Sequence, residues 1–250
     1  MFPIIFQYKF ITIGGYGVML GLGFYMALLL FERELKIRKI NPELAYKILL
    51  AAIPSGIIGA KISHILEHLD AFLMSPWDMI FSGSGLSVLG GYILATLTSI
   101  IVIKKSNEKV LKVFDACSPS LALGYCFGRF GCHVAGDGCY GISTTSFLGT
   151  AYPNGIVPTT MTVIPTPLFE VFFSFFTVGV LLKLRKKDFS DGKLFSIFLI
   201  FSGIPRLIVE FIRRNPEMIF NLTQAQVLAI LFILLGIAGW IYSDKKLANI

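Results

Sequence analysis

Charged residues are scarce in this sequence. They make up 15% of its 250 residues, against roughly 25% in a soluble domain. Hydrophobic residues make up 55%, 23 Phe among them, and the mean hydropathy is +0.75. That balance excludes a disordered chain, a fibrous protein and an ordinary cytosolic enzyme. Cysteine is sparse as well. The four, Cys117, Cys126, Cys132 and Cys139, imply no disulfide framework in a chain of this length. The first two lie in an apolar run, where Cys behaves as a small hydrophobe. Residues Met1 to Phe10 lack a basic n-region and no small-residue cleavage site follows, so the first span is expected to remain in the mature protein. There is no internal repeat and no low-complexity tract. The basic excess, 22 Lys and Arg against 15 Asp and Glu, is read as membrane orientation and not as nucleic-acid binding.

What is present is a set of long apolar runs. A spanning helix needs about 20 mostly apolar residues, and seven candidates meet that length. They cover residues 13–31, 48–66, 86–103, 113–131, 167–184, 193–212 and 222–242. The second and fourth are the weakest, with Lys61, His64, Asp115 and Arg129 in or near them. Period-2 alternation is missing, which excludes barrel strands. The expected fold is an all-α membrane protein with seven transmembrane helices, a single domain over residues 1–250.

The basic residues set the expected orientation. Arg33, Lys36, Arg38, Lys39 and Lys47 follow the first span, and Lys104, Lys105, Lys109 and Lys112 the third. Lys183, Arg185, Lys186, Lys187 and Lys193 follow the fifth, and Lys245 and Lys246 the seventh. These sixteen lie on one side, which the positive-inside rule makes cytoplasmic. The other six are Lys9, Lys61, Arg129, Arg206, Arg213 and Arg214. The N-terminus is then outside and the C-terminus cytoplasmic. The longest outer segment, a Gly-rich loop at 132–163, is the first place to look for chemistry.

Ionisable residues inside a span are costly and point to function. Arg129 closes the fourth span, Glu170 opens the fifth, and Arg206 lies in the sixth with Glu210 four residues on. With this topology Arg129, Glu170 and Arg206 share a depth in the outer half of the bilayer, and Asp137 lies just outside it. Guanidinium binds phosphate oxygens with paired hydrogen bonds, and a lipid headgroup offers a phosphate at that depth. The structural alternative is an Arg206–Glu210 pair at i, i+4 that only holds the bundle. Gly128, Gly131, Gly136, Gly138 and Gly141 can bring backbone N–H groups to an anion. Cys132-His133 sets a thiol beside an imidazole in sequence, although helix neighbours do not face each other. His64-Ile65-Leu66-Glu67-His68 has a zinc-ligand spacing. It still needs a third ligand, and it sits at a span end where polar residues belong anyway.

Six stretches together resemble the prolipoprotein diacylglyceryl transferase family. Gly15 to Met19 resembles its opening span, Ile58 to Lys61 a Gly-Ala-Arg element, and Gly85 to Gly91 a Gly-Gly-rich element. Gly128-Arg129-Phe130-Gly131 through Asp137 resembles the signature G-R-x-G-N-F-x-N-x-E. Pro165 to Glu170 and Arg206 to Arg213 resemble H-P-T-Q-L-Y-E and R-x-x-x-E-F-x-R. The order matches along nearly the whole chain. There are departures. Cys132 and Ala135 replace the two signature Asn, Asp137 replaces Glu, Leu89 replaces a His, and Ile164 and Pro167 replace a His and a Gln.

The resemblance implies transfer of the diacylglyceryl group of phosphatidylglycerol to the lipobox cysteine of a preprolipoprotein, with glycerol phosphate leaving. It implies no metal and no cofactor. The partners it implies are phosphatidylglycerol, the lipobox peptide and membrane lipids, at the outer leaflet of a bacterial plasma (inner) membrane. Arg129 and Arg206 are expected to hold the phosphate, and Asp137 or His133 to take the thiol proton. Gly128, Gly131, Cys132, Glu170 and Glu210, with Gly90 and Gly91, are expected to form the substrate site. The alternatives are a related transferase with another acceptor, a lipid-binding homologue without catalysis, and a metal-dependent peptidase built on His64, Glu67 and His68.

Overall fold

The computed structural model describes residues 1–9, 11–82, 85–213 and 222–248. Arg214 lies outside the described residues. A short hairpin, β1 (Ile4–Tyr8) and β2 (Ile11–Gly14), leads into α1 (Gly15–Ile37). Then come α2 (Glu43–Glu67), the one- to two-turn helices α3 (Leu69–Met74) and α4 (Pro76–Phe81), and α5 (Val88–Lys105). The chain continues through α6 (Val110–Ala135), the hairpin β3 (Thr150–Tyr152) and β4 (Thr159–Val163), α7 (Thr166–Leu184), α8 (Lys193–Glu210) and α9 (Gln224–Ala248).

The fold is mostly helical, and two antiparallel hairpins modify the all-α expectation. Their β-branched runs, Ile4-Ile5 and Thr159-Thr160, favour pleated backbone. The second hairpin lies within the 132–163 segment, so part of the expected loop is ordered strand. Six of the described helices are long and apolar enough to cross a membrane: α1, α2, α5, α6, α7 and α9. The sequence led to seven. The difference is α8, where Lys193, Arg206 and Glu210 fall within 18 residues. Lys193 and Arg206 form ion pairs with α9 and α7, and Glu210 pairs with Arg206, a fact that composition cannot show.

The chain divides into two compact units, Met1–Phe31 with Phe114–Ile250, and Glu32–Val113. In the second unit α2 packs on α5 through small residues. A Cβ on Gly59 would strike the Gly90 carbonyl, and one on Gly90 would strike the Gly59 carbonyl. Such close backbone approach is how membrane helices gain van der Waals contact where lipid removes the hydrophobic incentive.

In the first unit Ala122 of α6, Val178 and Leu181 of α7, and Leu194, Ile197 and Phe198 of α8 form a buried cluster. Phe172, Phe175 and Phe176 of α7 stay exposed, as a lipid-facing surface would. Asp115, near the start of α6, accepts the backbone N–H of Gly192 and of Phe195, each at 2.8 Å. It caps α8 from a neighbouring helix, satisfying orphan donors and complementing the helix dipole. The ionisable residue that weakened the fourth span in the sequence is therefore a structural cap. This contact joins the start of α6 to the start of α8, so those two helices run in the same direction and α7 runs against them.

Candidate functional site

The opposite ends of α6 and α8 hold the charges. Tyr125 and Arg129 are four residues apart on α6 and so share a face. Arg129 Nε donates to the Tyr125 hydroxyl at 2.9 Å, and the guanidinium carbon lies 5.0 Å from the ring centroid. The Tyr125 hydroxyl donates in turn to Glu170 Oε1 at 2.7 Å. Glu170 sits in the opening turns of α7, whose start is fixed by Pro167 and the buried Thr166. The Thr166 hydroxyl donates to the Cys139 carbonyl. Arg129 Nε approaches Glu170 Oε2 at 3.3 Å, and Arg206 Nη1 of α8 pairs with Oε1 at 2.7 Å. The two arginines singled out in the sequence thus meet on one carboxylate.

The network extends one step further. Arg206 Nη2 lies 3.1 Å from Glu210 Oε2, which Arg213 approaches at 4.0 Å. Thr223 donates its hydroxyl to Glu210 Oε1 at 2.8 Å. The i, i+4 pair foreseen as a purely structural alternative is present, and Arg206 engages Glu170 at the same time. Exposure separates the partners. The Glu170 and Glu210 side chains are 1% and 0% exposed, whereas Arg129 and Arg206 keep 16% and 18%. Three arginines stand against two glutamates. The buried acids orient the bases, and the bases present the outward positive charge. Each guanidinium has five N–H donors in a fixed fork, more than the named partners use. The arrangement can receive an anion with several oxygens.

After α6 the chain turns sharply. Gly136 and Gly138 have φ of +62° and +87°, a region open to Gly at little cost. The turn brings Asp137 and Cys139 back toward Cys132, and the two sulfurs and a carboxylate oxygen all lie within 4.8 Å of one another. The Cys139 N–H donates to Asp137 Oδ1 at 3.1 Å, and Arg129 Nη1 lies 4.0 Å from Cys139 Sγ. The Cys139 thiol is lowered to about 7, mainly by a hydrogen bond from Cys132, with Arg213 adding to it against the opposing effect of burial.

His133 points elsewhere. Its Nδ1 lies 2.9 Å from the Tyr152 hydroxyl, with the rings edge to face. Burial pushes the Tyr152 phenol up. Cys132 and His133 are neighbours in sequence with separate partners in space, as successive positions on a helix must be. A Cβ on Gly128 would meet open space, while one on Gly131 would press on Tyr16 and Met19 of α1. Gly90 and Gly91 lie in the other unit, where they bring α5 close to α2.

The His64, Glu67 and His68 side chains also converge within 4.8 Å. However, α2 ends at Glu67, so His68 lies beyond the helix and not on the continuous helical face expected from the spacing. Its Nδ1 lies 3.1 Å from the His64 carbonyl, and Glu67 accepts from Ser87 and Ser63 at 2.6 and 3.1 Å. Sequence reasoning gave no role to Tyr125, Thr223 or Cys139. Tyr125 was findable as the i−4 neighbour of Arg129, and Cys139 by the glycines before it. Thr223 is joined to Glu210 only in three dimensions.

Comparison with known sequences fits this geometry. The family model described as prolipoprotein diacylglyceryl transferase matches residues 3–242. The chain belongs to the prolipoprotein diacylglyceryl transferase family. It is 31% identical over 239 residues to the phosphatidylglycerol–prolipoprotein diacylglyceryl transferase of Clostridium tetani, covering 95% of this chain and 96% of that one. A Clostridium perfringens protein named phosphatidylglycerol–prolipoprotein diacylglyceryl transferase 2 is 33% identical over 229 residues, covering 90% and 89%. A Leptospira interrogans relative is 30% identical over 306 aligned residues, covering 100% and 96%. Family membership and six apolar helices make this a multi-pass membrane protein of a transferase family.

Proposed function

We propose that this chain moves the diacylglyceryl group of phosphatidylglycerol onto the lipobox cysteine thiol of a preprolipoprotein. The meeting of Arg129 and Arg206, from two helices, on the buried Glu170 carries this reading. In the reaction the acceptor sulfur forms a bond to the glycerol carbon. The carbon–oxygen bond to phosphate breaks, and glycerol phosphate departs with the electron pair. Arg129 and Arg206 neutralise charge that develops on the leaving phosphate, an effect of about 3–4 kcal/mol per well-placed donor in a shielded site. Glu170 and Glu210 hold both guanidinium groups in position. Gly128 leaves room for the lipid beside Arg129, with Gly131 and Cys132 on the same helix end. Asp137 or His133 takes the thiol proton.

In this reading α8 also crosses the membrane, as the sixth of seven spans. The N-terminus lies outside and the C-terminus in the cytoplasm, the whole chain acts as one transmembrane domain, and the arginines face the outer leaflet of a bacterial plasma (inner) membrane. The sixteen basic residues on one side support that orientation. Turnover of labelled phosphatidylglycerol and a lipobox peptide in membranes tests the proposal. Lipidated peptide and free glycerol phosphate are the expected products, and their absence from folded protein sinks it. A second reading, the same phosphate site with another acceptor, is favoured by Leu89 and Cys132 at positions where the family has His and Asn. It is distinguished by lipid consumption without a lipidated thiol.

A further inference from the structure

The turn after α6 sets two thiols side by side, next to an arginine of the charged network. We propose that Cys132 and Cys139 are a redox modification site: they form a reversible disulfide, with Cys139 as the attacking thiol and Cys132 as the resolving one, and the bond takes a sulfur partner away from Arg129. The disulfide stands on the structure of the turn. Its effect through Arg129 rests on the transferase reading above.

Both cysteines are free thiols, and their sulfurs lie within 4.8 Å of each other. The Cys132 thiol hydrogen-bonds to the Cys139 sulfur, so the two groups are in direct contact. Backbone holds them there. The Gly136 N–H donates to the Cys132 carbonyl at 2.9 Å and closes the end of α6. The Ile156 and Val157 N–H groups donate to the Ala135 and Gly136 carbonyls at 3.0 and 2.9 Å. Gly136 and Gly138 adopt positive φ, which turns the chain back over the helix end. The short loop between the cysteines is therefore already closed, and the entropy of bringing its ends together is no obstacle to the bond.

The two thiols are not equivalent. Cys132 is buried and Cys139 is half-buried, so Cys139 is the one that meets a reagent. Its thiol is also the one lowered to about 7, which makes the nucleophilic thiolate accessible near neutral pH. An accessible thiol of this kind beside a second cysteine is the arrangement of redox-active pairs. Cys126 shows the contrast. It is buried, and its sulfur donates to the Val171 carbonyl at 3.8 Å. With the orientation proposed above, the Cys132–Cys139 pair faces the exterior, away from the reducing thiol pool of the cytoplasm.

The oxidant is a small disulfide of the glutathione class. The Cys139 thiolate attacks one of its sulfurs and expels the other half, which takes up a proton as a free thiol. A mixed disulfide is left on Cys139. The Cys132 sulfur then attacks Cys139 Sγ and gives its proton to the second half, which departs as a thiol. Two protein thiols are oxidised and one small disulfide is reduced to two thiols. The location gives the bond a consequence. Arg129 Nη1 lies 4.0 Å from Cys139 Sγ, so a Cys139 thiolate competes with a substrate phosphate for that donor. A disulfide sulfur carries no charge and is a poor acceptor. Oxidation therefore turns the Arg129 donor over to phosphate.

The test uses the full chain in detergent, purified reduced and then equilibrated with mixtures of reduced and oxidised glutathione. Remaining thiols are alkylated and mapped by peptide mass spectrometry. Oxidation should remove Cys132 and Cys139 together, in an intramolecular bond that dithiothreitol reverses, while Cys126 stays alkylatable after unfolding. Cys132→Ser should stop at a glutathione adduct on Cys139. Cys139→Ser should leave Cys132 unmodified. Folded protein that keeps both thiols across the series overturns the site, as does a bond between two chains. An adduct that forms on Cys132 in Cys139→Ser as fast as on Cys139 in Cys132→Ser overturns the assignment of roles. Lipid transfer is assayed on the same samples. The oxidised chain should show kcat/KM for phosphatidylglycerol roughly three- to tenfold above the reduced chain, the worth of about one hydrogen bond, and Cys139→Ser should show no response to glutathione. An equal or lower value in the oxidised chain overturns the link to Arg129 and leaves the disulfide standing. A disulfide that forms in protein without transfer in either state overturns the transferase reading alone.

Discussion

Helix α6 carries an ionisable residue toward each end, and the two ends are built differently. Asp115 gives its two oxygens to two backbone N–H groups of the α8 start. Arg129, fourteen residues on and about 21 Å away at a rise of 1.5 Å per residue, enters a network of side chains alone. At the first end one buried charge is held by two fixed backbone donors. At the second, buried glutamates hold arginines that keep part of their surface open. Both residues violate the apolar pattern of a span, so that violation alone does not distinguish them. What distinguishes them is the partners: fixed backbone donors at the Asp115 end, and side chains with guanidinium donors in surplus at the Arg129 end.

Substitutions can break or sharpen this contrast. The largest effect is expected at the arginine end. Arg129→Ala or Arg206→Ala should lower lipid transfer by roughly 100- to 1,000-fold. Arg206→Ala also leaves Glu170 and Glu210 under-compensated, at a folding cost of about 3–5 kcal/mol. Arg206→Lys keeps the charge without the fork and separates the two effects. Full turnover in a normally melting Arg206→Lys protein would remove paired donation from the mechanism. Asp115→Ala should do the reverse, with a loss of about 2–3 kcal/mol in detergent unfolding and unchanged turnover per folded molecule. A turnover defect at normal stability would mean that the two ends are not separate in function.

Tyr125→Phe removes one hydroxyl from between Arg129 and Glu170. A loss of about 1–2 kcal/mol, close to tenfold in turnover, is expected while melting stays near that of the parent. Lys193→Ala deletes an ion pair whose partner Asp244 is half exposed. Neither melting nor turnover should change measurably, because exposed pairs contribute little.

The sequence made much of the helical frame legible, since apolar run length alone sets where a helix can cross a bilayer. It also singled out Arg129, Glu170 and Arg206, because charge within such a run is costly enough to be informative. The hairpins were not legible. Ile4–Tyr8 is short and exposed, and its pairing depends on a partner strand and not on amphipathic period. Asp115 carried the same signal as Arg129, and nothing local told cap from site. Cys139 was readable as a cysteine and not as the neighbour of Cys132, because seven residues of separation close only through two left-handed glycines.

By itself the sequence determined that this chain lives in a membrane and which residues defy that setting, because hydrophobic length and charge cost are local properties. Tertiary structure alone decided which of those residues meet. Pairing of guanidinium with carboxylate and of thiol with thiol requires contact within a few ångströms, and that distance is set by how α6, α7, α8 and the turn at Gly136 and Gly138 pack, not by their order along the chain.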